Sequence, residues 1–147
     1  ITTSGFPALQ RYPPEPGTSS GKHRTMTIVA ERTAIRRIDQ NHRRARVVVH
    51  GDTIYLAGQC GDDMTGDAGQ QTREALARID RLLAEAGSDN SRLLSVQIWL
   101  SDMADFDAVN AVYDAWVVSG ETPARCCGEV KLAVPGARVE IIAVAAA

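Results

Sequence analysis

Apolar and polar positions change period several times along the 147 residues, and each change marks an element. Between Arg46 and Ala57, a Val-rich run and an Ile-Tyr-Leu run flank His50-Gly51-Asp52, the pattern of two buried strands joined by a compact turn. Upstream, Thr27-Ile28-Val29 and Ala34-Ile35-Arg36-Arg37-Ile38 are short β-type pieces that predict a first strand or hairpin within 26–39. Residues 59–66 are polar. Asp67 then offers an N-cap, and Gln70 three residues on completes a capping-box pattern. Leu76, Ile79, Leu82, Leu83 and Ala86 recur at helical spacing until Gly87 supplies a stop.

Alternation returns at 92–100, placing Leu94, Val96, Ile98 and Leu100 on one face and Leu93, Ser95, Gln97 and Trp99 on the other. A second helix is expected after Ser101 or Asp102. Its apolar stripe is Phe106, Val109, Tyr113, Trp116 and Val117, with Asn110 set within it, and Gly120 and Pro123 end it. Two last apolar-leaning runs, 124–132 and 138–145, flank Val134-Pro135-Gly136 and read as two strands joined by a turn. Strands, helix, strand, helix and two strands make an α+β layout, with two helices packed on one face of a mixed sheet.

Charges inside the two closing runs are the anomaly. Arg125 stands at the mouth of the first, and the period of two puts it on one face with Cys127 and Glu129, while Cys126 points the other way. Glu140 is embedded in the second, where an unpaired buried carboxylate is costly. A guanidinium presents a planar fork that fits a carboxylate, so the Arg/Cys/Glu arrangement is where chemistry is expected. The bland alternatives are a salt-bridged strand-end arginine, a small core cysteine and a structural ion pair of Glu140 with Arg138, Lys131 or the Arg125 of a neighbouring copy. Cys60 and Glu129 read as structural.

Composition changes this picture only at its edges. The length suits one core, and 44% hydrophobic with 23% charged residues is ordinary for a globular protein. No apolar run approaches a membrane span, and no signal-peptide pattern opens the chain. Three cysteines argue against a disulfide framework and for a reducing compartment, so a cytoplasmic location is expected. His23, His42 and His50 are scattered, so no metal site is expected. The net charge of −2 divides into +6 over 1–46 and −8 over 47–147. Such a basic arm can contact nucleic acid, but with few aromatics to stack bases, docking on the acidic body is favoured. Residues 1–25, rich in proline, read as leader, extension or linker, and 26–147 as one domain, with Met26 the expected native start.

Five stretches then fall in the order and spacing of a known family: Ile54-Tyr-Leu-Ala-Gly-Gln59, Gln71-Thr-Arg-x-Ala-Leu76, Ser101-Asp-Met-Ala-Asp-Phe106 with Asn110, Pro123-Ala-Arg125, and Val139-Glu140-Ile141. Together they resemble the RidA/YjgF family over about residue 44 to the C-terminus. The resemblance implies a chorismate-mutase-like α+β fold, homotrimers with sites in clefts between subunits, and cofactor-free hydrolysis of reactive 2-enamine and 2-imine acids to 2-oxo acids and ammonia. It implies Arg125 as the grip on the substrate carboxylate and Glu140 as the group that positions water. Asn110 is implied as a supporting amide, Cys127 as pocket wall contributing backbone groups, and Gly58 as a neighbour of the pocket. The family tyrosine position is Arg44 in this chain, and Ala57 replaces a frequent serine. These departures point to a larger or more acidic ligand, or to a hydrated pocket rim. Two other functions compete: a trimeric module that binds small carboxylates without turnover, and, ranked last, an endoribonuclease or translation inhibitor, for which no His pair or metal cluster speaks.

Overall fold

The structure, a computed structural model, describes residues 34–147. The proposed leader at 1–25 and the Thr27-Ile28-Val29 strand piece lie outside the described residues. Six strands form one mixed sheet: β1 (Ile35–Gln40), β2 (Ala45–His50), β3 (Thr53–Leu56), β4 (Leu93–Leu100), β5 (Ala124–Glu129) and β6 (Val139–Ala146). Their order across the sheet is β1-β2-β3-β6-β4-β5. Among the described residues two helices, α1 (Ala68–Ala86) and α2 (Phe106–Trp116), accompany the sheet.

The β2–β3 hairpin forms as its pattern predicts, with Gly51 taking φ 61° in the turn. Helix α1 starts where Asp67 Oδ1 accepts the Gln70 amide at 2.7 Å and stops at Gly87, φ 91°. The Gln70 side-chain amide nitrogen donates to Glu74 Oε1 at 3.1 Å. Leu76, Ile79, Leu82 and Leu83 are buried, and α1 lies across β2, β3 and β6. Each such side chain removed from water contributes roughly 1.5–3 kcal/mol. Helix α2 packs on α1, and its Val109 and Tyr113 enter the same core. Asp102 caps a short 3-10 turn, Met103–Asp105, ahead of α2, and the helix ends at Trp116, earlier than Gly120 implied.

Two expectations fail for reasons of strand pairing. The closing runs are not a hairpin: β5 pairs in parallel with β4, while β6 runs antiparallel between β3 and β4. The first run also stops at Glu129, and residues 130–138 form a connection that passes over to the far side of β4. The parallel β4–β5 pair needs a crossover, and α2 supplies it. Secondly, Leu94 is half exposed while Leu93 is buried, because a register shift between Leu93 and Ser95 moves the start of β4 out of strict alternation.

Sheet register assigns the faces. Val96, Ile98 and Leu100 lie opposite Ala143, Ile141 and Val139 in the core beneath the helices. Trp99, Glu140, Ile142 and Val144 therefore point to the other face, helix-free among the described residues, with Tyr55 beside Val144.

Candidate functional site

Arg125 opens β5 opposite Val96, on the helix-covered face, where the sheet edge leaves it exposed. Its Nη2 donates to Asn110 Oδ1 at 2.6 Å, and its Cζ lies 4.8 Å from the centroid of the Tyr113 ring. Asn110 and Tyr113 are three residues apart on α2, hence neighbours on one helix face. A neutral amide and a ring face thus hold the guanidinium without neutralising it, and it retains free donors for an anion. The sequence set Asn110 within the apolar stripe of α2, and its amide oxygen finds a partner in Arg125. Tyr113 was read only as core; its spacing from Asn110 was the available signal.

Cys127 sits opposite Ile98, half-buried against the core, and burial pushes its thiol above the ordinary value despite the nearby Arg125 cation. That disfavours the thiolate a nucleophile needs and suits a wall residue. Glu129, on the same face, accepts the Met103 amide at 3.0 Å and so caps the turn before α2.

Glu140 is elsewhere. It lies opposite Trp99 on the helix-free face and packs over Gly58, where a β-carbon would stand 2.0 Å from Glu140 Oε1. Gln59 extends this corner by exchanging backbone bonds with Ile141 at 2.8 and 2.9 Å, and its buried side chain donates to Ala57 O at 2.6 Å. Ala57 N donates to Arg46 O at 2.9 Å, which brings the start of β2, and Arg44 with it, to the same end of the sheet. Neither ion pair expected for Glu140 within the chain, with Arg138 or with Lys131, forms among the described residues; Arg138 binds Asp105 through two bonds of 2.8 and 2.9 Å instead. Burial, then Glu140, raise the Cys60 thiol above its ordinary value, while Arg78 and Arg44 act against them. The cysteine read as structural therefore lies within Coulomb range of both Glu140 and Arg44, which its sequence context did not signal.

The described chain thus brings together Arg125, Asn110 and Cys127 on one face, and Glu140, Gly58, Ala57 and Arg44 at one end of the sheet. It does not join the two groups, since the register sets Arg125 and Glu140 on opposite faces. The groove of about 460 Å³ between α1 and α2 contains neither. Among the described residues no three His, Cys, Asp or Glu side chains are grouped as metal ligands, and no helix is long and apolar enough to cross a membrane.

The chain is similar to known proteins in sequence and in fold. RutC family protein YoaB of Escherichia coli is 43% identical over 121 residues, covering 82% of this chain and 99% of that protein. A 2-iminobutanoate/2-iminopropanoate deaminase of Mus musculus is 34% identical over 99 residues, covering 63% of this chain and 73% of that protein. The crystal structure of a YjgF protein family member from Neisseria meningitidis superposes with a TM-score of 0.76 at 42% identity, covering 78% of this chain and 96% of that one. The family model described as Endoribonuclease L-PSP matches residues 34–147, the whole of the sheet and both helices. By that match, and by the strand order and register it spans, the chain belongs to the Endoribonuclease L-PSP family, the RidA/YjgF proteins.

Proposed function

We propose that this protein hydrolyses reactive 2-imino acids, and the enamines that tautomerise to them, to 2-oxo acids and ammonia. The observation that carries the reading is Arg125, an exposed guanidinium braced by Asn110 and Tyr113 and without an ion-pair partner among the described residues. Its fork fits the substrate carboxylate, and a carboxylate bound there fixes the adjacent C2. Water adds to C2 as Glu140 accepts one of its protons. The C–N bond of the resulting carbinolamine then breaks, nitrogen leaves as ammonia and the carbonyl of the 2-oxo acid forms. With a substrate this reactive, positioning supplies most of the acceleration.

Arg125 and Glu140 face opposite ways in one chain, so a complete site takes Arg125 from one copy and Glu140 from the next. A closed homotrimer with three intersubunit sites meets this requirement. The helix-free face supports it, because Tyr55 is 48% exposed there beside Val144, apolar surface that a neighbouring copy would cover. The mouse deaminase relative supports the reaction class.

Ammonia release from an imine generated in situ by an amino-acid oxidase tests the reading. Arg125→Ala is expected to lower kcat/KM by roughly 30- to 100-fold, the cost of losing charge-assisted bonds, and Glu140→Gln to lower kcat. Equal rates for wild type and Arg125→Ala would overturn it. Binding of a 2-oxo acid with no imine turnover would leave a carboxylate-binding module.

A further inference from the structure

Resting on that reading, we propose that the preferred substrates are 2-imino acids with a second carboxylate at the far end, and that Arg44 anchors that second group. The Asn41–Arg44 turn is tied down at its base: Asn41 Oδ1 accepts the Arg43 and Arg44 amides at 2.8 and 2.9 Å, and Asn41 N donates to Arg44 O at 2.8 Å. Beside it lies a concavity of about 230 Å³ whose lining includes Arg37, His42, Arg43 and Arg44 and no carboxylate. Arg37 pairs with Val48 and Val48 with Tyr55, which puts this concavity on the helix-free face, the face of Glu140.

Two nearby arginines are already committed. Arg46 binds Asp39 at 2.9 Å, and Arg78 binds Asp62 and the Cys60 carbonyl. Arg44, like Arg37 and Arg43 beside it, has no such partner among the described residues, so positive charge stands unmatched among them at the end of the sheet that holds Gly58 and Glu140. An uncompensated guanidinium there attracts an anion. The Glu140 carboxylate makes the same corner unfavourable for an anion that bypasses Arg44. A substrate with one carboxylate on Arg125 and the imine carbon near Glu140 would extend its far end toward Arg44. A second carboxylate satisfies that cation, and a methyl group does not.

The test measures kcat/KM for imines formed in situ from D-aspartate or D-glutamate by D-aspartate oxidase, and from D-2-aminobutyrate by D-amino-acid oxidase. Wild type is expected to favour the dicarboxylic imines. Arg44→Ala should lower the dicarboxylic-to-monocarboxylic ratio about tenfold to a hundredfold, Arg44→Lys should retain part of it, and Arg44→Glu should invert the preference. Turnover of 2-iminobutanoate with no preference for the dicarboxylic imines, or an unchanged ratio in Arg44→Ala, overturns this substrate class and leaves the deaminase reading standing. Acceleration of neither class by wild type overturns both.

Discussion

A β-carbon on Gly58 would lie 2.0 Å from Oε1 of Glu140 and 2.8 Å from its Cδ. The carboxylate rests on the space a missing side chain leaves. Gly58 is not in the left-handed region, so alanine fits its backbone, and the obstructing atoms are the movable end of Glu140. Gly58→Ala should therefore fold, with a stability change under about 1 kcal/mol, while pushing the carboxylate aside. A misplacement of this order lowers kcat/KM by roughly a hundredfold. Ammonia-release kinetics alongside a thermal melt will separate the two effects; a wild-type rate would show that Glu140 does not act from its present position.

The Arg125–Asn110 bond makes a second, directional prediction. Asn110→Ala removes the 2.6 Å bond but leaves the Tyr113 ring beneath the guanidinium, so kcat/KM should fall roughly tenfold, mostly through KM. Asn110→Asp keeps the geometry and supplies a competing carboxylate. It should raise KM for carboxylate substrates further than the alanine does, and added salt should relieve part of that rise. Inhibition constants of a 2-oxo acid against both variants check the ordering.

Much of this was legible in the chain itself. Alternation and helical spacing located both helices and the β2–β3 hairpin, because those signals are local. Asn110 stood out as an amide on an apolar stripe, and Glu140 as a carboxylate in an apolar strand. Strand partners were not legible. Val134-Pro135-Gly136 looks like a hairpin turn, yet β6 is drawn between β3 and β4, where its alternate residues Val139, Ile141 and Ala143 meet Leu100, Ile98 and Val96. That choice depends on burial across distant segments. For the same reason the opposite facing of Arg125 and Glu140 required the register, since nothing near either residue encodes it.

Gln71 carries a structural role that composition hides. It is fully buried in α1, and its amide nitrogen donates to the carbonyls of Gly66 and Gly136 at 3.1 Å, while its Oε1 accepts the Arg138 amide at 2.8 Å. One side chain thus ties the loop before α1 to the connection entering β6. Gly136 reinforces the junction: its φ is 81°, and a β-carbon there would stand 3.0 Å from Met64 Cβ. Gln71→Leu keeps the volume but strands these backbone groups, so it should cost about 2–3 kcal/mol. Urea unfolding is the measurement, and a midpoint equal to wild type would refute the role.

Asp80 makes a prediction about pH. Its Oδ2 accepts the Trp116 indole N–H at 2.9 Å across the α1–α2 contact, and burial raises its carboxyl above the ordinary value although that bond acts the other way. A group whose folded pKa is raised favours the folded state most when protonated. Its contribution is complete below the unfolded value, about 3.9, and is lost as pH rises through the folded value. At neutral pH the ionised carboxylate is therefore a cost. Asp80→Asn preserves an acceptor for Trp116 and removes the charge. The variant should exceed wild type in stability at pH 7 by a few tenths of a kcal/mol, solvent screening keeping the gain small, and the advantage should shrink as pH falls toward 4. Urea midpoints for both proteins at several pH values test the sign: an advantage that grows on acidification would mean that the Trp116 bond, rather than burial, dominates the carboxyl.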